Sequence, residues 1–327
     1  MNDKAMTHSR QRVTRRAMLA ATGAALALPV TAQGRAVTLV VPFSPGAPPD
    51  VVGRMMADGM SRRLGQPVIV DNRFGASGNI GSAAVSRAAP DGSMLLLHTN
   101  TLAMNASLFR DLPYHPVNGF APVAHLADVG FGLMLHPSAG ATAAEFVTRA
   151  KAQPGVLNYG SPGIGTPHHL VMELLKQQAG VDVTHVPYRG LSGAVNALLA
   201  GEVSALFLTI GAAKQLADGG RVRLVAVASP RRLPPMPDVP TLAEGGLPAT
   251  DMSAWYGLFA PPATPPALIA RLNAAVNEVL AAPETVAALT AFGTTPAGGP
   301  PERMRDMVAE DVTRWATVVR AAGIRPE

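Results

Sequence analysis

Short apolar runs alternate with longer amphipathic segments along most of this 327-residue chain. Residues 36–42 form a continuous Val- and Leu-rich run between turn residues, which is typical of a strand covered on both faces. Over residues 48–64, apolar side chains recur on one face of a helix. A strand, a helix and a further strand in this order predict parallel pairing through right-handed crossovers. The pattern therefore predicts an α/β fold.

The alternation occurs in two stretches of the chain. Further strands are predicted at residues 67–70, 93–98, 158–159, 184–186, 205–208 and 224–228. Further helices are predicted at residues 79–88, 167–178, 192–200, 265–280 and 301–322. Two α/β units in one chain predict two lobes with a cleft between them.

The lobe boundaries follow from apolar segments beside Pro-rich loops. Residues 131–136 and 255–260 are candidates for strands that pass between the lobes. The Pro- and Gly-rich residues 229–250 are predicted to form a long surface connection. The predicted organisation is a first lobe at residues 34–133, a second lobe at residues 134–254, and a return of the chain to the first lobe at residues 255–327.

The N-terminus has the pattern of an export signal. Arg15 and Arg16 precede an apolar segment at residues 20–30, and small residues follow up to Ala32. The apolar segment is shorter than the roughly 20 residues that a membrane-spanning helix needs. Residues 1–32 are therefore predicted to be a twin-arginine-type signal peptide whose removal leaves the protein in the periplasm. A disordered basic tail or a permanent anchor is the alternative.

Composition excludes several classes of function. The chain has 27 Lys and Arg against 22 Asp and Glu, but the mature part carries only 22 against 21. It has no basic cluster with interleaved aromatic residues, which argues against nucleic-acid binding. Because the chain has no cysteine, disulfides, thiolate metal sites and a Cys nucleophile are excluded.

Three glycine-containing turns each lie between a predicted strand and a predicted helix, at residues 43–50, 75–81 and 160–167. The start of a helix has unpaired N–H groups and a partial positive charge, so it can bind an anion. A single turn of this kind is better explained as a strand-to-helix connection. Three of them, divided between two lobes, favour an anion-binding cleft.

No catalytic pattern is present. The turns match neither G-x-G-x-x-G nor a P-loop, and residues 189–193 lack the final glycine of a nucleophile elbow. The adjacent His168 and His169 would point about 100° apart on a helix, which does not suit one metal ion. The sequence predicts a protein that is not an enzyme and has no cofactor and no metal.

Eight blocks of the sequence form a recognisable set: VVPFSPGAPPD (40–50), LGQPVIVDNRFGASGNIG (64–81), AAPDGSMLLL (88–97), LNYGSPGIGTPHHL (157–170), HVPYRG (185–190), PDVPTLAEGGLP (237–248), SAWYGLFAP (253–261) and AAGIRPE (321–327). These blocks resemble the extracytoplasmic solute receptors of tripartite tricarboxylate transporters, known as Bug receptors. They follow the family order over essentially the whole mature chain. The resemblance implies a two-lobed periplasmic-binding-protein fold of the Venus-flytrap, type II-like kind, with a mainly parallel sheet flanked by helices in each lobe.

The resemblance also implies a function and a site. Such receptors bind a small carboxylate between the lobes and deliver it to membrane permease subunits. A ligand sensor for a membrane signalling protein is the alternative. The implied ligand contacts in the first lobe are Phe43, Ser44, Gly46, Ala47, Asp50, Asn79, Thr99 and Asn100. Those in the second lobe are Ser161, Gly163, Gly165, Thr166, His169, Tyr188 and Arg189.

Two departures from the family pattern bear on the ligand. Ala47 replaces a glycine of the first turn and is followed by Pro48 and Pro49, which have no N–H to donate. Leu208 and Thr209 stand where relatives often carry more polar residues. Both changes favour a ligand with an apolar body, although Leu208 is equally explained as a core residue.

Four candidate residues have structural alternatives. Asp50 lies in the first turn of a helix, where an acid stabilises the helix start. Arg189 either pairs with a carboxylate or positions the turn after Tyr188. Trp255 and Tyr256 are explained by packing at the lobe junction as well as by stacking on a ligand.

Overall fold

Two separate β-sheets organise the chain, which the computed structural model describes at residues 36–249 and 251–325. In spatial order the first sheet contains β11 (Thr294–Pro296), β4 (Ala121–Val129), β10 (Ala254–Ala260), β3 (Met94–Thr99), β1 (Val37–Val41) and β2 (Val68–Asn72). The second contains β7 (Thr184–Pro187), β6 (Asn158–Ser161), β8 (Ala205–Thr209), β5 (Phe131–Leu135) and β9 (Arg223–Val227). The predicted signal peptide lies outside the described residues.

Helices cover both sheets, as the βα alternation predicts. In chain order they are α1 (Pro48–Leu64), α2 (Asn79–Ser86), α3 (Thr101–Leu108), α4 (Ala143–Ala152), α5 (Pro167–Ala179), α6 (Leu191–Ala200), α7 (Ile210–Asp218), α8 (Pro266–Ala281), α9 (Pro283–Ala291) and α10 (Pro301–Ala321). The bounds of α1 are those predicted from its apolar periodicity. The helices α3, α4, α7 and α9, each of eight to ten residues, and the strands β4 and β11 were not predicted.

Both sheets are mixed rather than mainly parallel, which corrects one detail of the expected fold. β1 pairs in parallel with β2 and β3, and β6 pairs in parallel with β7 and β8. These are the crossovers that the local sequence pattern predicts. The antiparallel partners are β10, β4 and β11 in the first sheet, and β5 and β9 in the second. These antiparallel pairs join segments that are distant in sequence, so no local sequence pattern predicts them.

The chain changes sheet at two places. Only Gly130 separates β4 of the first sheet from β5 of the second. The return runs through the described residues 228–249 and 251–253, which contain turns and isolated bridges, as their Pro and Gly content predicts. The two segments expected to pass between the lobes, residues 131–136 and 255–260, instead contain β5 and β10, each of which lies wholly within one sheet.

The apolar core explains why the predicted strands are continuous runs. Every residue of β5 and β10 is buried, and in β1 all but Thr38 are buried. One cluster of buried side chains includes Leu97 on β3, Leu133 on β5 and Trp315 on α10, so it contains residues from both sheets. Among the described helices, none is both long and apolar enough to cross a membrane.

The close packing of α1 on α8 yields a stability test. A Cβ at Gly59 would lie 2.5 and 2.8 Å from the two γ carbons of Val279. Gly59→Ala should therefore lower the free energy of unfolding by about 1–3 kcal/mol, despite the better helix propensity of alanine. In the double variant with Val279→Ala, the loss should be smaller than the sum of the two single losses. Urea denaturation measures all four proteins, and strictly additive effects would contradict the predicted clash.

Candidate functional site

The three glycine turns meet at one cavity of about 370 Å³ between the two sheets. The first lobe contributes Pro42, Phe43, Ser44, Phe74, Gly75, Ser77, Gly78, Thr101, Leu108, Phe109, Ile324 and Arg325. The second lobe contributes Ile164, Gly165, Thr166 and Pro167. Residues from both lobes therefore surround the same space, as the sequence predicts for a cleft.

Asp50 shapes the first turn and does not line this cavity. Its carboxylate is 2% exposed and accepts hydrogen bonds from the Gly46 N–H, the Asn72 amide and the Arg54 guanidinium, at 2.8–3.0 Å. Burial acts to raise the pKa of Asp50, but these donors outweigh it and lower the pKa below its ordinary value. The carboxylate thus closes the turn from Gly46 to α1, which agrees with its structural alternative.

The N–H groups predicted to hold an anion at the first turn are already engaged. Gly46 donates to Asp50, and Ala47 donates to the carbonyl of Ser44 at 3.1 Å. Pro48 and Pro49, which open α1, have no N–H to donate. Phe43 and Ser44 remain at the cavity wall, where the Phe43 ring packs edge-on against His98 with 5.4 Å between the ring centroids.

The second turn is strained. Ala76 and Ser77 have φ of 45° and 53°, and in the described chain they are the only non-glycine residues with positive φ. Left-handed backbone at such residues costs roughly 1–2 kcal/mol each. Gly75 and Gly78 flank them with positive φ as well. Strain of this kind clusters at functional sites.

Asn79 supports this strained turn rather than the cavity. Its side-chain oxygen accepts hydrogen bonds from the Asn105 amide and the Tyr114 hydroxyl, both at 2.7 Å. The same Asn105 amide donates to the Ser77 carbonyl at 3.0 Å. Burial raises the pKa of Tyr114 to about 12, so its hydroxyl stays protonated and can donate. Asn79 was predicted as a ligand contact, and the structure places it in a buried brace behind the turn.

The segment after β3 contributes Thr101 in place of the predicted Thr99 and Asn100. Thr101 lines the cavity and its hydroxyl lies 2.8 Å from that of Thr99. Asn100 is 1% exposed, and within the described part of the chain both polar atoms of its side chain lack a hydrogen-bond partner.

The third turn brings Gly165 and Thr166 to the cavity. The Ser161 hydroxyl donates to the Gly163 carbonyl at 3.0 Å and accepts from the Gly163 N–H at 3.2 Å. The Gly165 N–H donates to Nδ1 of His169 at 3.0 Å, and Thr166 caps α5 through its hydroxyl. Ser161, Gly163 and His169 therefore hold the turn from inside the second lobe.

A stack of aromatic rings, in which Tyr159 and His169 are buried and His185 is half-buried, adjoins this turn. The rings of His169 and His185 are stacked with centroids 4.0 Å apart, and Tyr159 continues the stack. His185 Nε2 lies 2.7 Å from the Ser161 hydroxyl oxygen. Burial lowers the pKa of His169 to about 3 and that of His185 to about 4, so both rings are neutral near pH 7. Within the described residues, no three His, Asp or Glu side chains are grouped as metal ligands would be.

Tyr188 and Arg189 lie away from the cavity. The Tyr188 N–H donates to the Ser161 carbonyl at 2.9 Å, so Tyr188 anchors the end of β7 to β6, and Arg189 is exposed. Trp255 is buried and donates its indole N–H to Asp311 at 2.8 Å, as the packing alternative expects.

A second cavity of about 700 Å³ lies between Pro48 of α1 and the start of α7. It is lined by Thr209, Tyr256 and Lys214, among others. Leu208 is buried in the core of the second lobe and does not reach it. Of the two residues that depart from the family pattern, Thr209 lines the second cavity and Leu208 does not.

Of the fifteen predicted contacts, all in the described part of the chain, Phe43, Ser44, Gly165 and Thr166 line the first cavity. Sequence reasoning missed Phe74, Leu108, Phe109, Ile324 and Arg325. The terminal block AAGIRPE resembles the family, and this resemblance could have identified Ile324 and Arg325 as candidate site residues. Nothing local distinguished Leu108 or Phe109 from ordinary helix-end residues.

Comparison with known proteins agrees with this architecture. Residues 52–324 match the tripartite tricarboxylate transporter family receptor, TctC. The protein BugT of Bordetella pertussis is 35% identical over 308 residues, which cover 92% of this chain and 94% of BugT.

Solved structures are similar over nearly the whole described fold. Rpa4515 of R. palustris, solved with adipate, is 34% identical with a TM-score of 0.79, and the match covers 90% of this chain and 99% of that one. MatC of Rhodopseudomonas palustris, with bound malate, is 35% identical with a TM-score of 0.74, and the coverage is 89% and 99%. The periplasmic binding protein BugD is 30% identical with a TM-score of 0.76, and the coverage is 90% and 99%. The two-lobed fold expected from the sequence is confirmed.

The buried histidines make stability depend on pH. Burial lowers the pKa of His98 to about 4, close to that of His185, whereas an unfolded chain protonates imidazoles near 6.5. The unfolded state therefore binds more protons between these values, and the free energy of unfolding should fall as the pH is lowered from 6.5 towards 4. Urea denaturation at pH 7.5, 6 and 5 measures the fall. NMR should show the imidazoles of His98, His169 and His185 unprotonated down to pH 5, and titration of any of them near 6.5 would contradict the prediction.

The contact between the third turn and α3 gives a second test. Gly165 has φ of 74°, and a Cβ there would lie 3.0 Å from both δ carbons of Leu108. Gly165→Ala should lower the free energy of unfolding by more than Gly180→Ala, which has a similar φ of 63° and no atom within 4 Å. Adding Leu108→Ala should remove most of the difference. Equal losses for the two glycine variants would show that the turn and α3 are not in tight contact.

Proposed function

Since the chain belongs to the tripartite tricarboxylate transporter family of receptors, we propose that it binds a small carboxylate in the cavity between its lobes and delivers it to a membrane permease. The observation that carries the proposal is the meeting of three turns from both lobes at one cavity. Polar groups that converge from two lobes on a partly apolar pocket are the usual form of a small-molecule site.

The lining of the cavity suits a carboxylate with an apolar body. Hydroxyls of Ser44, Ser77 and Thr101 supply hydrogen-bond donors, while Phe74, Phe109 and other apolar side chains form the walls. No acidic side chain is among the described residues that line it. The anion therefore meets donors without a competing negative charge.

Relatives support the class of ligand. Rpa4515 was solved with adipate and MatC with malate, both dicarboxylates, at 34% and 35% identity to this chain. Residues of the third turn, in the second lobe, line the same cavity as residues of the first two turns. A ligand held by both lobes stabilises the closed arrangement, so binding shifts the population from open to closed.

Location and partner follow from the same family. The signal peptide predicted at residues 1–32 would deliver the mature chain to the periplasm, where BugD is a binding protein. There it would carry its ligand to permease subunits in the membrane. The receptor needs no catalytic group for this role, because it binds and releases the ligand unchanged.

A thermal-shift screen tests the proposal on the mature protein, residues 33–327. Adipate, malate, benzoate and phenylacetate represent aliphatic and aromatic carboxylates, and their amides are matched uncharged controls. A ligand that binds only the folded state adds about 2.7 kcal/mol at 100 times its Kd. At least one acid should raise the Tm by several degrees and its amide should not. If only amides or cations raise the Tm, the carboxylate proposal is wrong.

The two cavities are distinguished by a variant in each. Ser77→Ala and Thr209→Ala each remove one hydroxyl, from the first and the second cavity respectively. Loss of a hydrogen bond to a charged ligand group costs about 1.5–3 kcal/mol. Ser77→Ala should therefore weaken carboxylate binding, measured by calorimetry, by more than Thr209→Ala does. A larger loss of affinity for Thr209→Ala than for Ser77→Ala would indicate that the ligand binds in the second cavity.

A further inference from the structure

The C-terminal residues after α10 are held in a defined turn. Gly323 has φ of 65°, its N–H donates to the Arg320 carbonyl, and the Ile324 N–H donates to the Val319 carbonyl, both at 3.1 Å. This pair of bonds with a left-handed glycine is a Schellman motif, which ends a helix in a fixed direction. Ile324 packs against the main apolar core. The chain is thus guided from the helix end to the cavity, where Ile324 and Arg325 form part of the wall.

Arg325 supplies the charge of this cavity. Among the described residues that line it, Arg325 is the one charged side chain. Its guanidinium has no hydrogen-bond or ion-pair partner in the part of the chain that the structure describes. The cation of the second cavity differs, because Lys214 lies 2.9 Å from the carboxylate of Asp218, one helical turn away.

We infer that Arg325 pairs with a carboxylate of the ligand and makes the cavity selective for carboxylic acids over amino acids of the same skeleton. The inference rests on the proposed function and names the residue behind its specificity. An arginine fork matches the geometry of a carboxylate and can bind both of its oxygens. This supplies the attraction that the internally bonded N–H groups of Gly46 and Gly165 do not.

The same wall disfavours an ammonium group. The nearest acid of the first turn, Asp50, is buried and already bonded to Arg54, Gly46 and Asn72. A ligand ammonium would therefore lie beside the exposed guanidinium of Arg325, a like charge, with no carboxylate among the described lining residues to pair with it. Adipate should bind better than 2-aminoadipate, and malate better than aspartate.

The test compares variants of one terminal segment. Arg325→Gln removes the charge, Arg325→Lys keeps it without the fork, and Arg320→Gln removes an exposed cation that does not line the cavity. Calorimetry with adipate, or with the acid that binds most tightly in the screen, should show binding about tenfold weaker for Arg325→Gln. The loss should be smaller for Arg325→Lys and absent for Arg320→Gln. The loss of affinity caused by Arg325→Gln should also be smaller in 500 mM salt than in 20 mM salt, because salt screens the charge of the arginine.

A backbone variant tests the turn that positions Arg325. Gly323→Ala places alanine at φ of 65° with no atom within 4 Å of the new Cβ, so strain is the main cost. This variant keeps the arginine and should weaken binding, because the end of the chain loses its fixed direction. Its Tm should fall only slightly, which separates misplacement from unfolding.

The outcomes separate the two proposals. If the wild type binds no carboxylate, the proposed function fails and the role of Arg325 fails with it. If the wild type binds a carboxylate and Arg325→Gln binds it equally well at low salt, the function stands and the inference is overturned. Binding of aspartate or 2-aminoadipate more tightly than every tested acid also overturns the inference.

Discussion

Buried polar side chains hold each of the three cleft turns in shape, and the geometry of the cavity depends on them. Asp50 closes the first turn, the Asn79–Asn105 pair braces the second, and Ser161 with His169 supports the third. Each partner lies within the same lobe as its turn. A buried backbone N–H must find an acceptor, and here the acceptors are carboxylate, hydroxyl and imidazole groups behind the cavity wall.

Because of these internal hydrogen bonds, several backbone N–H groups of the turns are not free to bind a ligand. At the first and third turns, the N–H groups of Gly46, Ala47, Gly163 and Gly165 have internal partners. The wall that remains consists of hydroxyls, aromatic rings and Arg325. The turns of each lobe are therefore preorganised before the ligand binds. A ligand meets preformed surfaces, which lowers the cost of ordering on binding.

Some features of the fold and site followed from local sequence. Helix α1 begins at its two prolines and ends before Gly65 because Pro suits the first turn of a helix and glycine suits its end. The parallel partners β1, β2 and β3 followed from the βα alternation. Phe43, Ser44, Gly165 and Thr166 reached the cavity because strand-to-helix turns gather at the same edge of a parallel sheet. In these cases the determining contacts are near in sequence.

The sequence by itself determined the α/β class, the positions of the glycine turns and the membership of the chain in its family. Only the tertiary structure decided which residues of those turns face the cavity. Asp50 and Asn79 look like ligand contacts in the sequence, but long-range partners, Asn72 for the first and Asn105 for the second, hold them behind the wall. Arg325 lies hundreds of residues from Phe43, yet both line one cavity. Such pairings depend on how distant strands and helices pack, and packing is a property of the whole chain rather than of any local pattern.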